Sequence, residues 1–140
     1  MHILVINGPN LNMLGIREPE IYGGADYNFL CKMIKEHSAQ RGYEVEIFQS
    51  NHEGEIVDKI QQAYRKADGI VINPGAYSHY SIAILDALKA VSIPTVEVHI
   101  SDIESREEFR RKIVTGLAAE KIISGKGLEG YIEGIEYLIK

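Results

Sequence analysis

Residues 69–100 read Gly69-Ile70-Val71-Ile72-Asn73-Pro74-Gly75-Ala76-Tyr77-Ser78-His79-Tyr80-Ser81-Ile82-Ala83-Ile84-Leu85-Asp86-Ala87-Leu88-Lys89-Ala90-Val91-Ser92-Ile93-Pro94-Thr95-Val96-Glu97-Val98-His99-Ile100. Two β-branched apolar runs, Gly69–Asn73 and Thr95–Ile100, bracket a stretch from Ser81 to Val91 in which Ile82, Leu85 and Leu88 recur at helical spacing. Strand, helix, strand at this length is a right-handed crossover between parallel neighbours. Both are among the most apolar strand candidates of the chain, as expected of strands inside a parallel sheet covered on two faces.

The same alternation extends in both directions. Further strands are expected at Ile3–Asn7, Val45–Gln49 and Lys121–Ser124. A helix is expected from Tyr27, capped by Asp26, to a stop at Gly42, with Leu30, Met33, Ile34 and His37 on one face. Glu53–Lys66 follows, with Ile56, Val57, Ile60 and Tyr64 turned inward, and Leu128–Ile139 is the last. Ser105-Arg106-Glu107-Glu108 has the capping-box pattern and predicts a short helix after the fourth strand. Five βα units predict an α/β fold, a flavodoxin-like three-layer doubly wound sandwich with a five-stranded parallel sheet in the order 2-1-3-4-5. No linker or repeat interrupts the 140 residues, so residues 1–140 are read as one catalytic domain.

Composition narrows the partners. The apolar share is 45%, the charged share 25% and the formal net charge −5, which lacks the basic surplus that phosphate backbones draw on, so nucleic acid is not an expected partner. The start, Met1-His2-Ile3-Leu4-Val5-Ile6, has no basic leader region and no apolar run reaches transmembrane length. A cytoplasmic protein without a membrane partner is expected. Cys31 is the single cysteine and lies among Leu30, Met33 and Ile34, which predicts a packing role. The five histidines show no metal-ligand spacing, and there is no Gly-rich phosphate loop, so no metal and no phosphate-bearing cofactor is expected.

In a doubly wound sheet ligands bind beyond the carboxyl ends of the strands where strand order reverses, which selects the loops after strands one, three and four. The first loop begins Asn7-Gly8-Pro9-Asn10-Leu11-Asn12 and continues through Arg17-Glu18-Pro19-Glu20-Ile21-Tyr22-Gly23-Gly24. At about eighteen residues it is long for such a connection and reads as a lid over the site. The third strand ends in Asn73-Pro74-Gly75-Ala76-Tyr77-Ser78-His79. The fourth ends in Glu97-Val98-His99-Ile100-Ser101-Asp102, with Arg106 and Arg110 beyond it at i, i+4 on one expected helical face. Guanidiniums and free backbone N–H groups suit a carboxylate ligand. With no nucleophile elbow present, acid–base chemistry by Tyr, His and Arg is the economical reading. A phenol of pKa about 10 becomes a base of about 8 at a cost of about 2.7 kcal/mol, which close guanidiniums can supply. Tyr22, after Arg17 on the lid, is the candidate among eight tyrosines, with Arg17 and Arg110 as its cations.

Together with Gln49-Ser50-Asn51-His52-Glu53-Gly54, these blocks resemble type II 3-dehydroquinate dehydratases, in family order and across nearly the whole chain. The resemblance implies a hydro-lyase that converts 3-dehydroquinate to 3-dehydroshikimate without a cofactor, serving the shikimate pathway or quinate catabolism. It implies that Tyr22 takes the C2 proton, that Arg17 lowers its pKa, that Asn10 helps stabilise the enolate through an ordered water, and that His99 protonates the departing C1 hydroxyl. Glu97 would orient His99. Asn73 and the amides of Ile100 and Ser101 map to carboxylate binding, His79 and Arg110 to the ring hydroxyls, and Asp86 to a residue reaching a neighbouring subunit's site in a homododecamer, a tetramer of trimers. Gln49–Gly54 and His52 map to structural roles. The chain departs from the family pattern at Asp102, Ile113, Gly116, Leu117 and Lys121. Rival readings fail on particular residues: a receiver would need acids where Asn7 and Asn73 stand, a flavin carrier a phosphate loop that Pro9 and Leu11 spoil, a Schiff-base dehydratase a lysine at a strand end, and a mere binder would not call for Tyr22, Arg17 and His99 together.

Overall fold

A computed structural model describes residues 1–16 and 25–140. Its five strands are β1 (His2–Asn7), β2 (Glu44–Gln49), β3 (Gly69–Asn73), β4 (Thr95–His99) and β5 (Lys121–Ser124). All pair in parallel in the order β2-β1-β3-β4-β5, the arrangement expected from the alternation of strand and helix. The helices are α1 (Tyr27–Arg41), α2 (Glu53–Gln62), α3 (Ile82–Val91) and α4 (Glu129–Ile139).

Period-two alternation sorts each central strand between the two faces. Ile3 and Val5 of β1, with Val71, Val96 and Val98, pack under Leu30 and Ile34 of α1 and Tyr131 and Ile135 of α4. Leu4 and Ile6, with Ile70 and Ile72, pack on Ile56 and Ile60 of α2 and Ile84, Ala87, Leu88 and Val91 of α3. Burying a Val, Leu or Ile contributes roughly 1.5–3 kcal/mol, so these two layers dominate the driving force. α1 begins and ends where its caps are: the Asp26 side chain accepts from Phe29 N at 2.8 Å, and Gly42 takes the left-handed conformation at φ 75°.

Four local expectations are corrected. α2 stops at Gln62 rather than Lys66, because the chain turns through Arg65 at φ 63°, and Tyr64 is therefore 51% exposed instead of inward. Ile82 is 63% exposed, since Ser81 is the N-cap and the buried stripe of α3 runs through Ile84, Leu85, Leu88 and Val91. The Ser105 capping box starts no α-helix: three 3₁₀ turns, Ile103–Ser105, Glu108–Arg110 and Thr115–Ala118, occupy the segment. The first of these is capped by Asp102, which accepts from Glu104 N at 3.0 Å. β4 ends at His99, so Ile100 and Ser101 leave the ladder. The first loop also contains regular structure, a 3₁₀ turn at Leu11–Met13.

Candidate active site

β1 and β3 are neighbours, and each ends in asparagine at the same register position, Asn7 opposite Asn73. Both are almost fully buried and share a hydroxyl: Tyr131 Oη of α4 accepts from Asn73 Nδ2 at 2.9 Å and donates to Asn7 Oδ1 at 2.6 Å. Asn7 Nδ2 reaches Tyr27 Oη at 3.4 Å, and Asn73 Oδ1 accepts from Gly75 N at 3.1 Å. Buried amides are costly unless satisfied, so this chain of bonds locks both strand ends.

The two loops then interlock. Gly8 N donates to Asn73 O at 2.8 Å, and a Cβ at Gly8 would lie 2.3 Å from Pro74 O. Gly75, at φ +62°, lies so close to Pro9 that its Cβ would meet Pro9 O at 3.0 Å. Asn-Gly-Pro and Asn-Pro-Gly are therefore two halves of one packed junction. Asn10 follows it in the left-handed region at φ 71°, which asparagine tolerates. Gln49 and Asn51 brace the first loop from the end of β2: Asn51 Oδ1 accepts from Asn10 N at 3.0 Å, while Gln49 Nε2 donates to Gly8 O at 3.1 Å and Asn12 Oδ1 at 3.3 Å. Tyr77 Oη donates to Asn51 O at 2.7 Å, closing the brace against the third-strand loop.

Over this platform lies a pocket lined by Asn10, Leu11, Leu14, Asn73, His79, His99, Ile100, Ser101, Arg106 and Arg110, among others. Glu97 and His99 sit two apart on β4, hence on one face, with Glu97 fully buried and His99 7% exposed. His99 Nε2 donates to Glu97 Oε2 at 2.7 Å, since an ionised carboxylate only accepts. That leaves Nδ1 as the nitrogen His99 can offer a ligand. The other Glu97 oxygen accepts from Thr115 Oγ1. His79 is fixed the opposite way, Nδ1 donating to Lys112 O at 2.8 Å.

The cationic side comes from the turns after β4. Arg106 Nη1 donates to Ser101 Oγ at 3.1 Å, and Arg110 Nε to Glu107 Oε1 at 2.8 Å. A backbone hydrogen bond, then Arg110, holds the Glu107 carboxyl below the usual glutamate range. The two arginines reach the pocket from separate turns and not from one helical face. Neither the Ile100 nor the Ser101 amide finds a backbone acceptor among the described residues, because both lie beyond the ladder.

Of the residues proposed from sequence, Asn10, Asn73, His79, His99, Ile100, Ser101 and Arg110 come together in this pocket, with Glu97 behind His99. Asp86 does not: it lies on the exposed side of α3, outside the pocket lining. Arg17 and Tyr22 lie outside the described residues, as does the lid beyond residue 16. Sequence reasoning missed Thr115 and Tyr131. Each is a buried residue distant along the chain from its partner, and only the packed sheet brings them together. His52 donates its backbone N–H to Ser50 Oγ at 2.9 Å and stands at the N-cap of α2, a local structural role. His37 bridges Tyr43 Oη and Glu136 Oε2, 2.7 Å from each. Among the described residues no cluster of His, Cys, Asp and Glu is arranged to hold a metal ion, and no helix is long and apolar enough to cross a membrane.

The family model for Dehydroquinase class II matches residues 1–139. A protein named 3-dehydroquinate dehydratase from Clostridium acetobutylicum is 62% identical over 138 residues, 99% of this chain and 96% of its own length. One of the same name from Thermotoga neapolitana is 55% identical over 140 residues, 100% of this chain and 95% of its own. Among solved structures, the type II dehydroquinase from Butyrivibrio crossotus superposes with a TM-score of 0.99 at 58% identity, covering 100% of this chain and 98% of that one. With a family match over nearly every residue, relatives this similar along their full lengths and the pocket in the predicted place, the chain belongs to the class II dehydroquinases.

Proposed function

We propose that this chain, a 3-dehydroquinate dehydratase, removes water from its substrate by anti elimination through an enolate, without a cofactor, to give 3-dehydroshikimate. The observation that carries the reading is the Glu97–His99 pair set into a pocket that also holds Asn10, Arg106 and Arg110. The C2 proton lies beside a ketone and is acidic enough for a tyrosinate. Tyr22 takes it, with Arg17 favouring the phenolate, and the electron pair moves onto the ketone oxygen. Asn10 stabilises that oxyanion through an ordered water. As the enolate collapses, the C1 hydroxyl departs with a proton from His99 Nδ1, while Glu97 supports the imidazolium. The substrate carboxylate is taken by Asn73 and the Ile100 and Ser101 amides, and the ring hydroxyls by His79 and Arg110.

The assembly reading is a homododecamer, a tetramer of trimers, in the cytoplasm, without nucleic acid or membrane as partner. Tyr80, Ile82, Phe109 and Leu117 are 61–73% exposed, and Asp86 follows Ile82 by one helical turn on the outer side of α3, which supports a neighbouring subunit there. The shikimate pathway and quinate breakdown both use this step.

The test is ultraviolet absorbance with 3-dehydroquinate and a chelator, because the conjugated enone of the product absorbs. Wild type is expected to give a fast rise that survives the chelator, and Tyr22→Phe none. A silent wild type that is folded overturns the activity, and an equally fast Tyr22→Phe overturns the assignment of the base.

A further inference from the structure

Glu97 is a carboxylate with no solvent contact, and it has two oxygens to satisfy. One takes the His99 ring N–H at 2.7 Å, and the other takes the hydroxyl of Thr115, which is itself fully buried. Thr115 lies outside the pocket lining and 18 residues along the chain from Glu97, in the 3₁₀ turn Thr115–Ala118 that precedes β5. We propose that Thr115 is a positioning residue of the dehydratase, the third member of a Thr115–Glu97–His99 relay that holds the carboxylate aimed at His99 Nε2.

A valine would fill the same volume as Thr115, so packing does not account for a hydroxyl here. The carboxylate does. Without that donor, one Glu97 oxygen would be buried bare, and the carboxylate would lose one of the two bonds that fix its orientation. A carboxylate turned away from Nε2 supports an imidazolium at His99 less well, so the acid would weaken although every pocket-lining side chain remained in place.

The turn that carries Thr115 is anchored on both sides. Val114 N donates to Ser78 O at 2.7 Å and Glu120 N to Thr95 O at 2.8 Å, tying the segment to the third-strand loop and to the start of β4. Within and just before this turn, Gly116 and Ile113 fit each other. A Cβ at Gly116 would lie 2.8 Å from Ile113 Cγ2 and 2.5 Å from Ile122 Cδ1, so Ile113 and Ile122 fill the space a side chain at 116 would need. The missing side chain at 116 lets Ile113 and Ile122 close in directly beside Thr115.

The inference rests on His99 as the general acid, and the experiment separates the two. Steady-state kinetics on 3-dehydroquinate are compared for wild type, Thr115→Val, Thr115→Ser, Glu97→Gln, Thr115→Val with Glu97→Gln, and His99→Ala, each checked for fold by circular dichroism. Thr115→Val is expected to lower kcat about tenfold to a hundredfold with KM within about twofold, and Thr115→Ser to restore kcat to within about threefold of wild type. In the Glu97→Gln background Thr115→Val is expected to change kcat by less than about twofold, because its target is already gone. Full activity of Thr115→Val, or a loss that is undiminished in the Glu97→Gln background, overturns the proposal while leaving His99 in its role. Full activity of His99→Ala overturns both. If Thr115→Val does not fold, Thr115→Ser and Thr115→Cys decide, since a relay requires the first to be active and the second, a weak donor, to be slow at unchanged KM.

Discussion

At the level of single residues, histidine shows how one side chain is set to different tasks by what holds its second nitrogen. His99 gives Nε2 to Glu97 and keeps Nδ1 for the pocket, whereas His79 gives Nδ1 to Lys112 O and keeps Nε2. A ring nitrogen's role follows from the partner of the other. Glu97→Gln is therefore expected to lower kcat by about two to three orders of magnitude with a small effect on KM, a split that steady-state kinetics resolves. Asn10 presents a different case, since its conformation and its amide are separable. Asn10→Gly keeps the left-handed backbone at φ 71° and removes only the side chain, so its fold is expected to melt within a few degrees of wild type while kcat falls.

Among the elements, the junction of the β1 and β3 loops is the tightest part of the site. Gly8→Ala would drive a methyl to within 2.3 Å of the Pro74 carbonyl oxygen, which is backbone and cannot swing aside. A loss of about 3 kcal/mol or more is expected in urea denaturation, with the pocket displaced as well. The α1–α4 contact carries a titratable cluster instead. Burial first, then the Glu136 charge, pushes the Tyr43 phenol up to about 12, while Arg41 pulls the other way. Burial likewise pushes Tyr27 up to about 12. A phenol whose folded pKa exceeds its unfolded value near 10 contributes its full share of stability below that pH and loses it as pH rises through about 12. Stability is expected to fall across that alkaline window, and Tyr43→Phe to flatten part of the slope in pH-dependent melting.

For the whole molecule, the pocket lies where strand order reverses, and its walls come from loops that are far apart in sequence. The exposed apolar residues beside it and the position of Asp86 on the outer side of α3 bear on assembly. Sedimentation of wild type is expected to give a single large oligomer, and Ile82→Lys smaller species. Asp86→Ala is expected to slow turnover with assembly intact.

Fold class and strand order were legible in the sequence because parallel strands covered on two faces are predominantly apolar and their helices carry a regular stripe, as β3, α3 and β4 do. Most pocket residues were legible too, since the doubly wound topology dictates which loops converge and those loops carried Asn10, Asn73, His79, His99 and Arg110. The capping-box helix was misread because Asp102 caps a tighter 3₁₀ turn just upstream, and local pattern does not reveal which of two overlapping caps wins. What only the tertiary structure decided are the partners of buried polar groups. Thr115 on Glu97 and Tyr131 between Asn7 and Asn73 are bonds across layers, set by register and packing. A hydroxyl shows its sequence neighbours in the chain, but its hydrogen-bond partner is whatever the closed core places within about 3 Å of it.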